Sequence, residues 1–145
     1  RMIERHNVIP ENMYNRAVRG QYMYSPLVVV RTGDHAHIYV AGHTSILPNG
    51  DIGGVGDMRE QIRIVCEKIQ QALGTVGATL DDVVRTISYT LDIEEYYHVV
   101  DERYKYFNNQ LPTNTLLGVS RLAHPDMVVE IEAEAIIDSE RVKIP

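Results

Sequence analysis

The sequence holds a single cysteine, Cys66, a single phenylalanine, Phe107, and no tryptophan. One thiol cannot build an internal disulfide framework and suits a reducing cytoplasm. No apolar run approaches the roughly 20 residues that a membrane span needs, so no membrane partner is expected. The opening Arg1-Met2-Ile3-Glu4-Arg5 lacks the hydrophobic stretch of a signal peptide. Positive charge is scarce: 14 Lys and Arg stand against 20 Asp and Glu, for a net charge of −6. A phosphate-backbone binder needs a basic face, so nucleic acid is not an expected partner. Internal repeats and low-complexity segments are missing too. What remains is ordinary for a soluble globular protein: 145 residues, 44% hydrophobic and 23% charged. That length fits one domain over 1–145, with 1–26 and 138–145 peripheral.

Hydrophobic periodicity divides the chain. Asn7 to Ser25 shows no clear period and is expected to hold a strand and a loop. Leu27-Val28-Val29-Val30 is a β-branched run ending in the turn signal Thr32-Gly33-Asp34. His35 to Ala41 alternates, with Ala36, Ile38 and Val40 on one face and His35, His37 and Tyr39 on the other. Leu47 to Gly56 is loop. Asp57 and Glu60 then form a variant capping box ahead of a helix whose apolar stripe is Met58, Ile62, Val65, Ile69 and Leu73. Gly74 and Gly77 mark its end. Val83 to Leu91 reads as a strand. Asp92 caps a second helix with Tyr96, Val100, Tyr104 and Phe107 inward. Leu111 to Asn114 breaks the chain. Two strands, Thr115 to Leu122 and Met127 to Ile137, close it around a turn at His124-Pro125-Asp126. The polar tail from Asp138 is expected to be mobile.

The order β-β-β-α-β-α-β-β predicts an α/β (α+β) fold: a mixed sheet with both helices on one face. In the last strand, Val129, Ile131, Ala133 and Ala135 suit the covered face. Glu130, Glu132 and Glu134 then line the opposite face. Three like charges at that spacing repel unless cations or water serve them, and Arg85 and Arg121 are the expected partners. Leu117 and Val119 would share that face. A surface mixing charges with buried-type residues points to a second subunit.

Leu111-Pro112-Thr113-Asn114-Thr115, Val119-Ser120-Arg121-Leu122 and Val129-Glu130-Ile131-Glu132-Ala133 resemble the closing signature of the YjgF/RidA family of reactive-intermediate deaminases. Upstream, Ile38-Tyr39-Val40-Ala41-Gly42, the Gly-rich loop before Met58-Arg59-Glu60-Gln61, and Leu80 to Thr86 match as well. The resemblance implies a chorismate-mutase-like fold, a homotrimer with sites between subunits, and hydrolysis of enamine or imine intermediates to keto acids and ammonia, without cofactor or metal. It also implies a carboxylate-gripping arginine two residues after the proline. This chain has Asn114 there, which donates hydrogen bonds but carries no charge. A cysteine frequent in the family is Leu116, an asparagine of the second helix is Asp101, and a tyrosine near the first hairpin strand is replaced by Leu27, with Tyr24 close by. Gly42, with its backbone N–H, and Glu130, the acid that positions water, are retained. The departure points to a divergent subgroup with altered substrate range.

Hydrolysis of an imine needs water delivered to an electrophilic carbon and a proton passed to the leaving ammonia. Glu130 is the expected catalytic group, its pKa raised by Glu132 and Glu134. Asn114, Gly42, His43, Tyr24, Leu116 and Arg121 are the expected substrate-binding residues. His43 would add a group titrating near neutral pH. In place of the lost arginine, Arg31 or Arg121 could reach the cleft. Without the resemblance, Glu130 reads first as a solvated or arginine-paired strand carboxylate; with it, the site reading leads.

Other patterns carry less. His35, His37 and His43 have no third carboxylate or cysteine at a metal-binding spacing. Gly50 to Gly56 lacks the Lys-Ser/Thr of a phosphate loop. The tyrosines of the second helix read as packing, Cys66 as inert core, and Ser25 and Ser45 lack a nucleophile's context. Two further functions stay open: a non-enzymatic trimer binding a small metabolite, and a ribonuclease, which the acidic charge disfavours.

Overall fold

The computed structural model describes residues 2–145; Arg1, first in the segment read above for a leader, lies outside them. Strand β1 (Glu4–Val8) leads into a small ribbon of β2 (Ala17–Val18) and β3 (Gln21–Tyr22). The hairpin β4 (Leu27–Arg31) and β5 (His35–His43) follows, then helix α1 (Met58–Thr75), β6 (Val83–Thr90), the short helices α2 (Ile93–Val99) and α3 (Asp101–Tyr104), β7 (Thr113–Gly118) and β8 (Val129–Asp138). Six strands form one mixed sheet in the order β1-β4-β5-β8-β6-β7. The β6–β7 pair is parallel, which is why the chain must leave the sheet through α2 and α3 between them.

Local chemistry explains the boundaries of α1. The Asp57 carboxylate accepts the Glu60 N–H at 3.0 Å. After the helix, Gly77 adopts φ +94°, and a side chain there would run into the Arg141 carbonyl. The predicted stripe Met58, Ile62, Val65, Ile69 and Leu73 is buried against Val29, Ile38, Val129, Ile131, Ala133 and Ala135 of the sheet. Cys66 is fully buried among them, and burial pushes its thiol up to about 12. Among the described residues no helix is long and apolar enough to cross a membrane.

Four expectations need correction. The second helix breaks at Val100, so Tyr104 turns out to be 58% exposed while Phe107 is buried. The seventh strand begins at Thr113, since Pro112 already sets extended backbone, and it ends at Gly118, leaving Val119 outside. The last strand runs two residues later at its start and one at its end than the pattern indicated. The tail is tied down: Lys143 donates its N–H to the Val76 carbonyl, and the Arg141 guanidinium pairs with Asp82 at 2.6 Å.

Candidate functional site

Register sets what faces outward. Across β8, Glu130 lies opposite Tyr89, Glu132 opposite Ile87 and Glu134 opposite Arg85. Each carboxylate finds a different environment. Glu134 accepts from Arg85 at 2.8 Å and bonds the His37 ring at 2.9 Å, and these partners, Arg85 foremost, hold its pKa low. Glu132 takes the Tyr89 hydroxyl at 2.5 Å, which pushes that phenol up to about 12. Arg121, the other expected partner, instead donates to the Leu122 carbonyl at 3.1 Å.

Glu130 has no such partner among the described residues. The β5–β8 ladder slips between Val40 and His43, and there the Glu130 side chain lies against Gly42. A Cβ on residue 42 would overlap its carboxylate, so any side chain there would displace the Glu130 carboxylate from this place. The carboxylate lines a cavity of about 350 Å³ with Gly42, His43, Lys68, Arg16 and Tyr24. Burial first, and Glu132 second, raise the Glu130 pKa above the ordinary carboxylate value; Lys68 opposes them. Lys68, from α1, donates to the carbonyls of Thr44 and Ile46 at 2.8 Å each, and burial lowers its pKa to about 8. Arg16 reaches the cavity from the N-terminal segment, stacked 5.6 Å from the Tyr14 ring centre. Tyr24 stands at the mouth with a pKa raised by burial.

His43 lines the cavity but is not the neutral-pH titrating group the sequence suggested. Burial, with Lys68 adding repulsion, drops its pKa to about 3, and its Nε2 has no partner among the described residues. The ring is therefore neutral across the physiological range.

The remaining expected site residues lie elsewhere. Asn114 and Leu116 pair in register with Thr86 and Ser88, on the helix-covered face, whereas Glu130 is on the other. The Asn114 Oδ1 accepts the Thr86 hydroxyl at 2.8 Å and the Ser88 hydroxyl at 2.9 Å. Leu116 packs half-buried against the core, and Leu27 is fully buried in it. Asp101 is exposed and pairs with Arg59, and Arg31 donates to the Ser139 hydroxyl. One chain thus unites Glu130, Gly42, His43 and Tyr24, and leaves Asn114, Leu116 and Arg121 outside that cavity. Sequence reasoning missed Lys68 and Arg16. The only signal for Lys68 was a lysine flanking the buried stripe of α1, and for Arg16 there was none.

A family model described as Endoribonuclease L-PSP matches residues 9–137, a span that takes in every strand from β2 to β7 and nearly all of β8. The chain belongs to this family. It is the YjgF/RidA group that the closing strands resembled. A RutC family protein of Pyrococcus abyssi is 35% identical over 98 residues, covering 68% of this chain and 76% of that protein. The 3-aminoacrylate deaminase RutC of Acinetobacter baylyi is 30% identical over 111 residues, covering 77% and 86%. A solved structure of a YjgF-family protein from Mycobacterium tuberculosis is 36% identical with a TM-score of 0.66, over 79% of this chain and 86% of that one. The mixed α+β architecture is thus that of the YjgF group, and the family includes a protein named as a deaminase.

Proposed function

We propose that this chain hydrolyses a small reactive enamine or imine and releases ammonia, with Glu130 as the acid–base group. The observation that carries this reading is the environment of Glu130: a carboxyl with no hydrogen-bond partner among the described residues, its pKa raised by burial, in a cavity that Lys68 and Arg16 also line. A carboxyl of that kind can hold a proton closer to neutrality than an ordinary glutamate does. It gives that proton to the nucleophilic carbon of the enamine, leaving an iminium ion. The carboxylate so formed takes a proton from water as the water oxygen bonds to the iminium carbon. The resulting carbinolamine, protonated on nitrogen by the same acid, breaks its C–N bond as the carboxylate takes back the proton of the carbinol hydroxyl, which leaves the carbonyl compound and ammonia and restores the acid. One water is consumed, and one carbonyl compound and one ammonia are formed. Arg16 and Lys68 suit a substrate with a carboxylate at the other end, which is the class named by the 3-aminoacrylate deaminase relative.

We propose further that copies of the chain assemble as a homotrimer. The open sheet face carries exposed Tyr39, Leu117 and Ile136 beside Glu132 and Glu134, a mixture that suits a subunit contact. In such an assembly Asn114, Leu116 and Arg121 would serve the Glu130 cavity of a neighbour. A second reading, a trimer that binds a metabolite without turning it over, is favoured by Asn114 alone: the charged clamp is gone, and the acceptor atom of its replacement is already used. A nuclease reading has the family label in its favour and the net charge of −6 against it.

The test is ammonia release from enamines generated in situ, with 3-aminoacrylate set against bulkier and uncharged ones. Release above the buffer rate, greatest for the carboxylate-bearing substrate, supports the deaminase. Saturable binding with decay at the buffer rate on every substrate would establish the binding protein instead.

A further inference from the structure

Of the 14 Lys and Arg residues only Lys68, Lys105 and Lys143 are lysines. Lys105 and Lys143 are exposed, and Lys105 pairs with Glu102 at 3.0 Å. Lys68 differs on both counts. It is half-buried and lines two cavities: that of Glu130, and a second of about 440 Å³ that Met13, Leu47 and Ile64 also line. Among the described residues no carboxylate pairs with it. The acids of the second cavity, Glu60 and Glu67, are engaged by Arg63. Glu130 lies near enough to oppose the effect of burial on Lys68, yet it takes no hydrogen bond from it.

The hydrogen bonds of Lys68 go to neutral groups, the carbonyls of Thr44 and Ile46. That count bears on its protonation state. An ammonium has three N–H donors for these two acceptors, whereas a neutral amine has two N–H donors and a lone pair. The neutral amine therefore serves both carbonyls and keeps its lone pair where the third N–H of the ammonium would be. Burial favours the same form, which is why the pKa falls to about 8. A lysine so placed is a nucleophile near neutral pH, as an ordinary lysine is not.

We propose that Lys68 is a covalent binding site for a small aldehyde, held as a reversible imine within the Glu130 cavity. The amine lone pair bonds to the carbonyl carbon, and a proton passes from nitrogen to the carbonyl oxygen. The Glu130 carboxyl then protonates the hydroxyl of this carbinolamine, the C–O bond breaks and one water leaves. A lysine iminium remains beside the Glu130 carboxylate. It keeps a single N–H, so one of the two carbonyls loses its donor, which favours return to the free amine by the reverse steps. Pro26, Ile46 and Met127 supply apolar wall for a short alkyl tail. An aldehyde carbon, with one substituent, crowds the half-buried amine less than a ketone carbon does. The inference goes beyond the hydrolysis proposed above, because an adduct can be measured whether or not the chain releases ammonia.

The experiment is incubation of the full chain with propanal and sodium cyanoborohydride at about pH 7.5, with peptide mass mapping over time. The hydride fixes the iminium as a propyl amine, and mapping reads each lysine separately. Lys68 should be alkylated about tenfold or more faster than Lys105 and Lys143, since a far larger share of it is unprotonated at that pH. Pivaldehyde, whose branched tail is too bulky for the half-buried amine, provides the second arm. With it the advantage of Lys68 over the two exposed lysines should disappear. The proposal is overturned if propanal labels Lys68 no faster than Lys105 and Lys143. It is equally overturned if pivaldehyde gives the same advantage as propanal, because the amine would then be reactive without a cavity that holds the aldehyde.

Discussion

The Glu130 carboxylate fills the space that a side chain on residue 42 would need, so Gly42 lets it lie against β5. Gly42→Ala should drive the carboxylate out of its place against β5. Because only the flexible end of Glu130 has to move, the cost in stability should be small, about 1 kcal/mol or less, measured by urea unfolding. Ammonia release, measured on the fraction that stays folded, should fall by far more than unfolding explains. Parent-like activity in this variant would show that the position of Glu130 does not matter.

Glu130 also sets a pH dependence of stability. Its folded-state pKa is raised above the ordinary 4.5 by burial and by Glu132. Between the two values the folded chain binds more protons than the unfolded one. The contribution of Glu130 is therefore intact below the unfolded pKa and is lost as pH rises through the folded one. Glu130→Gln removes this loss. Unfolding free energies compared from roughly pH 4 to roughly pH 8 should show the variant gaining on the parent as pH rises. A gap that stays constant with pH would mean that the carboxyl is not perturbed.

His43 acts in the opposite sense. Its pKa falls from 6.5 to about 3 on folding because the ring is buried and Lys68 is near. In that window the unfolded chain binds the extra proton, so stability is lost as pH falls from 6.5 toward 3. His43→Leu should flatten that acid limb in urea titrations. The pH–rate profile near neutrality should keep its shape, because a ring already neutral has no proton to lose there. A neutral limb that vanished in this variant would assign His43 the titrating role denied to it above.

Lys68 ties the loop after β5 to α1 through the carbonyls of Thr44 and Ile46. Lys68→Met should leave both without their donor and cost about 2 kcal/mol. Arg16→Ala, which breaks no hydrogen bond found in the structure, should raise KM for a carboxylate substrate and leave kcat nearly unchanged. If Arg16→Ala lowers kcat alone, the cation acts on the transition state and not on the bound carboxylate.

Period and capping made most of the fold legible. The alternation from His35 to Ala41, the stripe of α1 and the Val129 to Ala135 face all lie where the pattern put them. The errors came where tertiary contacts decide: the break at Val100, the exposure of Tyr104 and the anchoring of the tail by Asp82 and Val76. In the site, Glu130 and Gly42 were legible as members of a motif. Their mutual contact was not, since it depends on a register slip between β5 and β8. Lys68 and Arg16 were missed because they reach the cavity of Glu130 only after α1 and the N-terminal segment converge on β5 and β8, and no spacing along the chain encodes that.

The most direct measurement is ammonia release from 3-aminoacrylate generated in situ, with the parent chain and Glu130→Gln run side by side at neutral pH. Loss of a positioned acid–base group predicts a fall of about 10²–10⁴-fold with the fold intact. A Glu130→Gln chain that releases ammonia at the parent rate would contradict the account, because the one carboxyl whose surroundings set it apart would then have no part in the chemistry.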